Sequence, residues 1–379
     1  MGVLGGAGAM GRAAVHELTA TGVAVRLLES DTKAAERVAR RYGHGRARVV
    51  EVDAGDASSV SRALRGARVL LNCAPYVFNV ETMRAALDAR CHYLDLGGLF
   101  HTTRRQLRLD REFRRAGLLA VLGMGSAPGI VNVLARAGAD LLRRVEAVRI
   151  YNGGADFTRH RAPLVFGFSP ATVLDEFTKR PMVFANGRFR SAAPGSGGED
   201  FVFDVGLQRV HLSLHSEVAT LPLSFRGKGL RHCSFQIAYD PVLVERLRQL
   251  IDLGLADPEP GPRGVAPRDV LLDCLRAQPP PPELVDDRDC LSVVLDGRDA
   301  GGPVRLRYDL TATPQRRPPL SAVARDTGFP PAIVARMILD RRIRERGVLP
   351  PERCVPVAPF LAALAARGLH ARLTLTREL

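Results

Sequence analysis

The stretch that most restricts how this chain can fold is Gly6-Ala7-Gly8-Ala9-Met10-Gly11. It lies between an apolar stub, Val3-Leu4, and an apolar run at helical spacing, Ala13, Ala14, Val15 and Leu18. A strand that turns on glycine and passes straight into a helix opens a βαβ unit, and the same glycines let a dinucleotide approach the backbone at a helix N-terminus. Gly6 is expected to make the tight turn, Gly8 to admit the pyrophosphate and Gly11 to let the helix lie against the sheet. Ala9 and Met10 then belong to the same cofactor-binding turn. Glycine-rich turns are common, so the surroundings must decide. After a break at Gly22, "VAVRLLES" reads as a second strand. It ends in Glu29, eighteen positions after Gly11, where a dinucleotide site needs a carboxylate for the ribose 2′-OH. Such a carboxylate repels a 2′-phosphate, so NAD is expected over NADP. Only five residues precede Gly6, so the first strand is expected to be unusually short.

The alternation continues to about Ala127. The strands are "ARVVEVD", "ARVLLNCAP", "HYLDL" and "LLAVLGMG", with "ASSVSRALRG", "VETMRAALDARC" and "RRQLRLDREFRRAG" as helices between them. This pattern predicts a Rossmann-type doubly wound parallel sheet. Asp53 follows the third strand, where a carboxylate meets the adenine, and Asp56 reads as a helix N-cap. Ala74 and Pro75 end the fourth strand on the ligand-binding edge and are expected beside the nicotinamide. From "GMGSAPGIVNVLARAGADLL" onward the style changes. "VEAVRIYN", "RPMVFANGRFR", "VHLSLHSEVATLPLSF" and "HCSFQIAYD" read as strands of a largely antiparallel sheet in an inserted α+β substrate domain. "CLSVVLDG" and "VRLRYDLTA" read as a hairpin. "AIVARMILDRRIRERG" and "VAPFLAALAARGL" read as helices that pack back on the first domain. The division expected is 1–127, 128–325 and 326–379.

The formal net charge of +14 invites a nucleic-acid reading. However, only three of the 54 basic residues are lysine, and the arginines interleave with carboxylates along helices, as solvated faces do. With no aromatic-basic platform for stacking bases, no nucleic-acid partner is expected. No run approaches the roughly 18–20 apolar residues of a membrane helix, so no membrane partner is expected. The nucleotide loop at the N-terminus leaves no room for a signal peptide, and a cytoplasmic location is expected. Six scattered cysteines without a C-x-x-C pair suggest neither zinc nor a disulfide framework, so no metal is expected.

Four segments together resemble the saccharopine dehydrogenase and lysine 6-dehydrogenase family: "VLGGAGAMG", "NCAPYVFNVETMRAALDARCHYLDLGG", "GMGSAPGIVNVLA" and "TGFPPAIVARMILDRRIRERGVLPPE". A fifth, "HSEVATLP", is similar to the family's substrate-domain segment. They span most of the chain in the family's order. The resemblance implies NAD(P)-dependent hydride transfer at an amine-bearing carbon of an amino acid or amine, with a small-molecule substrate and a homodimer. It sets the dinucleotide over Gly6, Gly8, Met10 and Gly11, Glu29 at the ribose and Ala74-Pro75 at the nicotinamide. Asp95 and the Gly125–Gly129 loop then border the substrate. Saccharopine-forming members read G-x-D-P-G where this chain has Gly125-Ser126-Ala127-Pro128-Gly129, which favours the lysine-dehydrogenase branch.

Oxidation beside nitrogen requires a neutral amine, so a base must take a proton from it. His215 and Asp95 are the candidates, each with a structural alternative: a strand histidine with one hydrogen bond, and a turn cap. On a strand, Glu217 faces the same side as His215 and is a candidate for the substrate ammonium, as are Thr220 and Tyr76 for substrate contact. The alternatives to amine oxidation are reductive coupling of an amine with a semialdehyde, which needs the same cofactor loop, and a non-catalytic NAD(H) sensor.

Overall fold

In the computed structural model, which describes residues 1–262 and 264–377, the first part of the chain winds as its alternating pattern predicts. The elements are β1 (Gly2–Leu4), α1 (Ala9–Ala20), β2 (Val25–Glu29), α2 (Thr32–Tyr42), β3 (Ala47–Glu51), α3 (Ala57–Leu64), β4 (Val69–Asn72), α4 (Asn79–Asp88), β5 (His92–Asp95), α5 (Leu99–Gln106), α6 (Asp110–Arg115) and β6 (Leu119–Val121). Side-chain caps start two of the helices: Asp31 accepts from Ala34 N at 2.9 Å and Asp56 from Ser58 N at 2.9 Å. The strands lie parallel in the order β3-β2-β1-β4-β5-β6, so the chain reverses direction between β1 and β4, where open α/β sheets bind ligands. The first strand is short, as expected, yet it is central and pairs on both sides.

The second part contains α7 (Ile130–Leu141), β7 (Arg144–Asp156), α8 (Pro170–Thr178), β8 (Met182–Ala185), β9 (Arg188–Ser191), β10 (Glu199–Phe203), β11 (Gly206–Leu212), α9 (Glu217–Ser224), β12 (His232–Ile237), α10 (Pro241–Asp252), α11 (Pro267–Arg276), β13 (Asp287–Asp299) and β14 (Gly302–Ala312). Its sheet runs β10-β11-β12-β7-β13-β14, antiparallel except for the β12–β7 pair, with the β8–β9 hairpin on β12. The long β13–β14 hairpin matches the sequence expectation.

Two expectations are corrected. The segment read as one strand through "SEVATLPLSF" turns at Ser213 and becomes the helix α9. All of Glu217–Pro222 is buried, and an element buried on every side carries no period by which a helix differs from a strand. The closing segment is not wholly helical. A short ribbon, β15 (Gln315–Arg316) with β16 (Pro319–Leu320), precedes α12 (Ala322–Leu339), which runs unbroken through Pro330-Pro331. Then β17 (Gly347–Leu349) joins the first sheet beside β6, α13 (Pro351–Cys354) and α14 (Val357–Ala365) follow, and β18 (Ala371–Thr376) pairs with β14 at the edge of the second sheet. The last stretch of chain thus belongs to both sheets, and one continuous core runs from α1 through α7 and α12 to β13.

Candidate active site

The β1–α1 turn is shaped by glycines of unequal duty. Gly5 holds φ +72°, and a Cβ there would fall 2.6 Å from Ala74 N, so Gly5 rather than Gly6 is the left-handed residue of the turn. A Cβ at Gly11 would overlap the Gly5 carbonyl oxygen and lie 2.6 Å from Gly6 Cα, which fits its expected role in close packing. At Gly8 a Cβ would meet only Gly5 O, at 3.5 Å, and Gly8 is exposed as the N-cap of α1 with no side chain capping the helix. Uncapped N–H groups at Ala9, Met10 and Gly11, below an open glycine, suit a dinucleotide diphosphate. Glu29 turns back over this loop, and its Oε1 accepts from Ala7 N at 2.7 Å. Burial raises the Glu29 pKa, opposed by that hydrogen bond. Asp53 stands exposed at the end of the neighbouring strand, accepting from Gly55 N at 2.8 Å.

Beyond the loop a cavity of about 280 Å³ opens between the two sheets. Met10, Ala74, Pro75 and Tyr76 line one wall, and Asn152, Glu176, His215 and Asp289 the other. His215 is stacked on Phe235 of β12, ring centroids 3.8 Å apart and planes 7° from parallel. Its Nδ1 meets Glu217 Oε2 at 2.5 Å. Burial by itself lowers the imidazole pKa, but the Glu217 carboxylate, with Glu176 behind it, outweighs burial and holds His215 above its ordinary value of 6.5. With Nδ1 engaged, Nε2 is the nitrogen left to serve the cavity. Cys73 also lines this space, but burial first, then Glu29 and Asp95, push its thiol pKa far up and keep it protonated.

Several expected residues lie elsewhere. Asp95 does not reach the cavity: it is 1% exposed and accepts from Gly97 N at 3.0 Å, Gly123 N at 2.7 Å and Gln106 Nε2 at 2.5 Å. It ties the ends of β5 and β6 together, which is the cap alternative. Glu217 is fully buried behind His215 and faces no substrate space. Its position on α9 also replaces the expected strand alternation: the two side chains meet through the turn into the helix. Thr220 sits one turn further along in a buried polar group, within 3.5 Å of Asn132 Nδ2, while Glu352 takes bonds from Asn132 and Ser224. Gly125 is spent on its own loop, donating to Pro128 O at 2.7 Å, whereas Ser126, Ala127 and Pro128 face the cavity.

Other residues had no signal in the sequence. Glu176 looked like any helical acid in "VLDEFTK", yet α8 buries it at the cavity wall, where its Oε2 accepts from Tyr239 Oη at 2.6 Å and Ser213 Oγ at 3.2 Å. Tyr76, by contrast a candidate for substrate contact from the sequence, lines the cavity and crosses between domains: its hydroxyl donates to Asp175 of α8 and accepts from Lys179 Nζ at 2.8 Å, while Arg268 holds the other Asp175 oxygen at 2.8 Å. Asp289, Asn152 and Thr327 are likewise brought to the cleft only by tertiary folding.

Comparison with known proteins fits this geometry. Residues 1–121 match the family model described as the saccharopine dehydrogenase NADP binding domain, and residues 125–369 the one described as the saccharopine dehydrogenase C-terminal domain. A carboxyaminopropylagmatine dehydrogenase of Synechocystis is 24% identical over 96% of this chain and 95% of its own length. A carboxynorspermidine synthase of Vibrio alginolyticus is 22% identical over 55% of this chain, which spans about half (53%) of that relative. Saccharopine dehydrogenase (L-Glu forming) of Saccharomyces cerevisiae shares the fold, with a TM-score of 0.74, 16% identity and 99% of both chains covered.

Proposed function

The chain belongs to the saccharopine dehydrogenase family, as an oxidoreductase with an NAD(P)-binding domain, and on that premise we propose that it transfers hydride at an amine-bearing carbon, with His215 moving the proton at the nitrogen. The observation that carries this reading is the cavity that joins Met10, Ala74 and Pro75 of the nucleotide edge to His215 of the opposite domain. The N–H groups of Ala9, Met10 and Gly11 would hold the diphosphate, Glu29 the ribose, Asp53 the adenine end, and Ala74-Pro75 the nicotinamide. When bound, the dinucleotide takes up or supplies the hydride. In the oxidative sense His215 Nε2 accepts a proton from the substrate ammonium, freeing the lone pair that becomes the C=N bond as hydride leaves the adjacent carbon. Glu217 holds the ring by Nδ1 and stabilises the imidazolium so formed. In the reverse sense the imidazolium returns that proton to nitrogen.

The oxidative sense is the lysine 6-dehydrogenase type of reaction. Reductive coupling of an amine with a semialdehyde is a second reading, which the names of the carboxynorspermidine and carboxyaminopropylagmatine relatives favour. Absorbance of reduced nicotinamide decides between them. Lysine, ornithine, saccharopine and diaminobutyrate are offered with NAD or NADP, and then amines paired with aspartate semialdehyde are offered with NADH or NADPH. Turnover in one set is expected, and none in either would overturn the reading. Glu29 supports tighter binding of NADH than NADPH, and the opposite order by calorimetry would reject that preference. A homodimer is the assembly we infer from the family likeness, and a single-chain mass by light scattering would exclude it.

A further inference from the structure

The cavity wall has an unexpected charge. In a chain with 54 lysines and arginines, none among the described residues lines the reaction cavity, whose charged side chains are Glu176 and Asp289 besides His215. An amino-acid carboxylate bound there would find no guanidinium to pair with. Glu176 is 5% exposed, and while its Oε2 is taken by Tyr239 and Ser213, its Oε1 accepts no hydrogen bond among the described residues. A carboxylate with one oxygen free of donors, on a cavity wall, is a place for a cation.

Asp289 is prepared in a different way. Its Oδ1 accepts from Asn152 Nδ2 at 2.7 Å, and it is hydrogen-bonded to Asp326, which is fully buried on α12. Burial, and then Asp289 itself, push the Asp326 carboxyl well above the usual range, so Asp326 keeps its proton and donates it. Burial raises Asp289 as well, but hydrogen bonds from Asp326 and Asn152 oppose it, so the pair's negative charge lies on the Asp289 side that lines the cavity. Its neighbour Asp287 does not compete, since it accepts from Ala322 N at 2.8 Å and Val323 N at 3.4 Å at the start of α12. The cavity continues past Asp289 into a second space, where the arginines are engaged elsewhere: Arg209 with Asp200, Arg246 with the Pro163 carbonyl and Arg288 with Asp286.

The two ends of the floor are well separated. Phe235, beneath His215, pairs with Ile150, which faces Val293, so Asp289 lies two strands across and four residues along the sheet. At ordinary strand spacings that is a backbone distance on the order of 15 Å.

We propose that Glu176 and Asp289 form a cation subsite that selects an elongated di- or polyamine substrate, with Asp289 holding a cationic nitrogen remote from the reacting carbon. This takes the cleft as the substrate site, as above, but it can be tested without turnover. Calorimetric titration of the full chain uses spermidine, butylamine and 6-aminohexanoate as probes, with Asp289→Asn and Glu176→Gln as variants checked by thermal melting. Spermidine is expected to bind at least tenfold more tightly than either monovalent amine. Asp289→Asn is expected to weaken spermidine at least tenfold while leaving butylamine within about twofold. Glu176→Gln should weaken both amines, and it keeps the test available if Asp289→Asn does not fold. Equal binding of 6-aminohexanoate and spermidine, or spermidine affinity unchanged in a folded variant, would overturn the subsite. Spermidine binding without hydride transfer under any pairing would keep the subsite and remove the proposed reaction.

Discussion

At His215 two opposing effects meet, burial against two carboxylates, and the carboxylates prevail. The consequence has a definite sign. Amine oxidation requires the neutral ring, so kcat/KM for oxidation should rise with pH and level off only above 6.5, while imine reduction should fall over the same range. Glu217→Gln removes the larger of the two charges and should shift the inflection downward, with kcat reduced about 10²-fold or more. An unmoved inflection in a folded Glu217→Gln variant would show that another group titrates. Sequence reasoning paired His215 with Glu217 through strand alternation. The contact is there, but a turn makes it. Asp95 was equally visible beside them and serves as the clamp of β5 and β6. Glu176 and Asp289 were not legible, because an acid on an amphipathic helix or in a hairpin looks solvated until the fold shows what covers it.

Among the elements, the α1–α12 contact joins the two ends of the chain at the cofactor loop. A Cβ on Gly328 would fall 2.6 Å from Met10 O and 2.7 Å from Ala13 Cβ, so the helices touch almost backbone to backbone. Gly328→Val therefore overpacks this seam at a cost of about 1–3 kcal/mol. A melting temperature several degrees lower is expected, with weaker dinucleotide binding because Met10 lies on the first turn of α1. An unchanged melt would contradict the packing. The parallel strands, the β13–β14 hairpin and the Asp56 cap were readable because period and capping chemistry are local. α12 was expected only after Pro330-Pro331. It begins at Ala322 because burial of residues such as Phe329, Ile333 and Val334, each contributing about 1.5–3 kcal/mol, offsets the helix bonds the prolines remove.

For the whole molecule, the first sheet is completed by the far end of the chain, since β17 covers the β6 edge and α12 covers α1. A fragment of residues 1–127 would expose that edge and the apolar face of α1. Losing partners such as Phe329, Ile333, Val334 and Val348, at about 1.5–3 kcal/mol each, matches a whole domain's stability of about 5–15 kcal/mol. The isolated fragment should therefore aggregate or unfold without a cooperative transition in urea. A sharp transition together with dinucleotide binding would refute this. No helix among the described residues is long and apolar enough to cross a membrane. Strand β17 was invisible in sequence because Gly347–Leu349 is too short to show a period.

That late strand sets a clock for biosynthesis. At about 5–20 residues per second, a ribosome that has finished β6 needs on the order of tens of seconds to deliver β17. Throughout that interval the nascent chain presents an unpaired parallel edge, the form most inclined to pair with a neighbour. The β1–α1 loop is made about three hundred residues before α12, the helix that braces it. A dinucleotide is therefore expected to be held firmly only once α12 has been delivered.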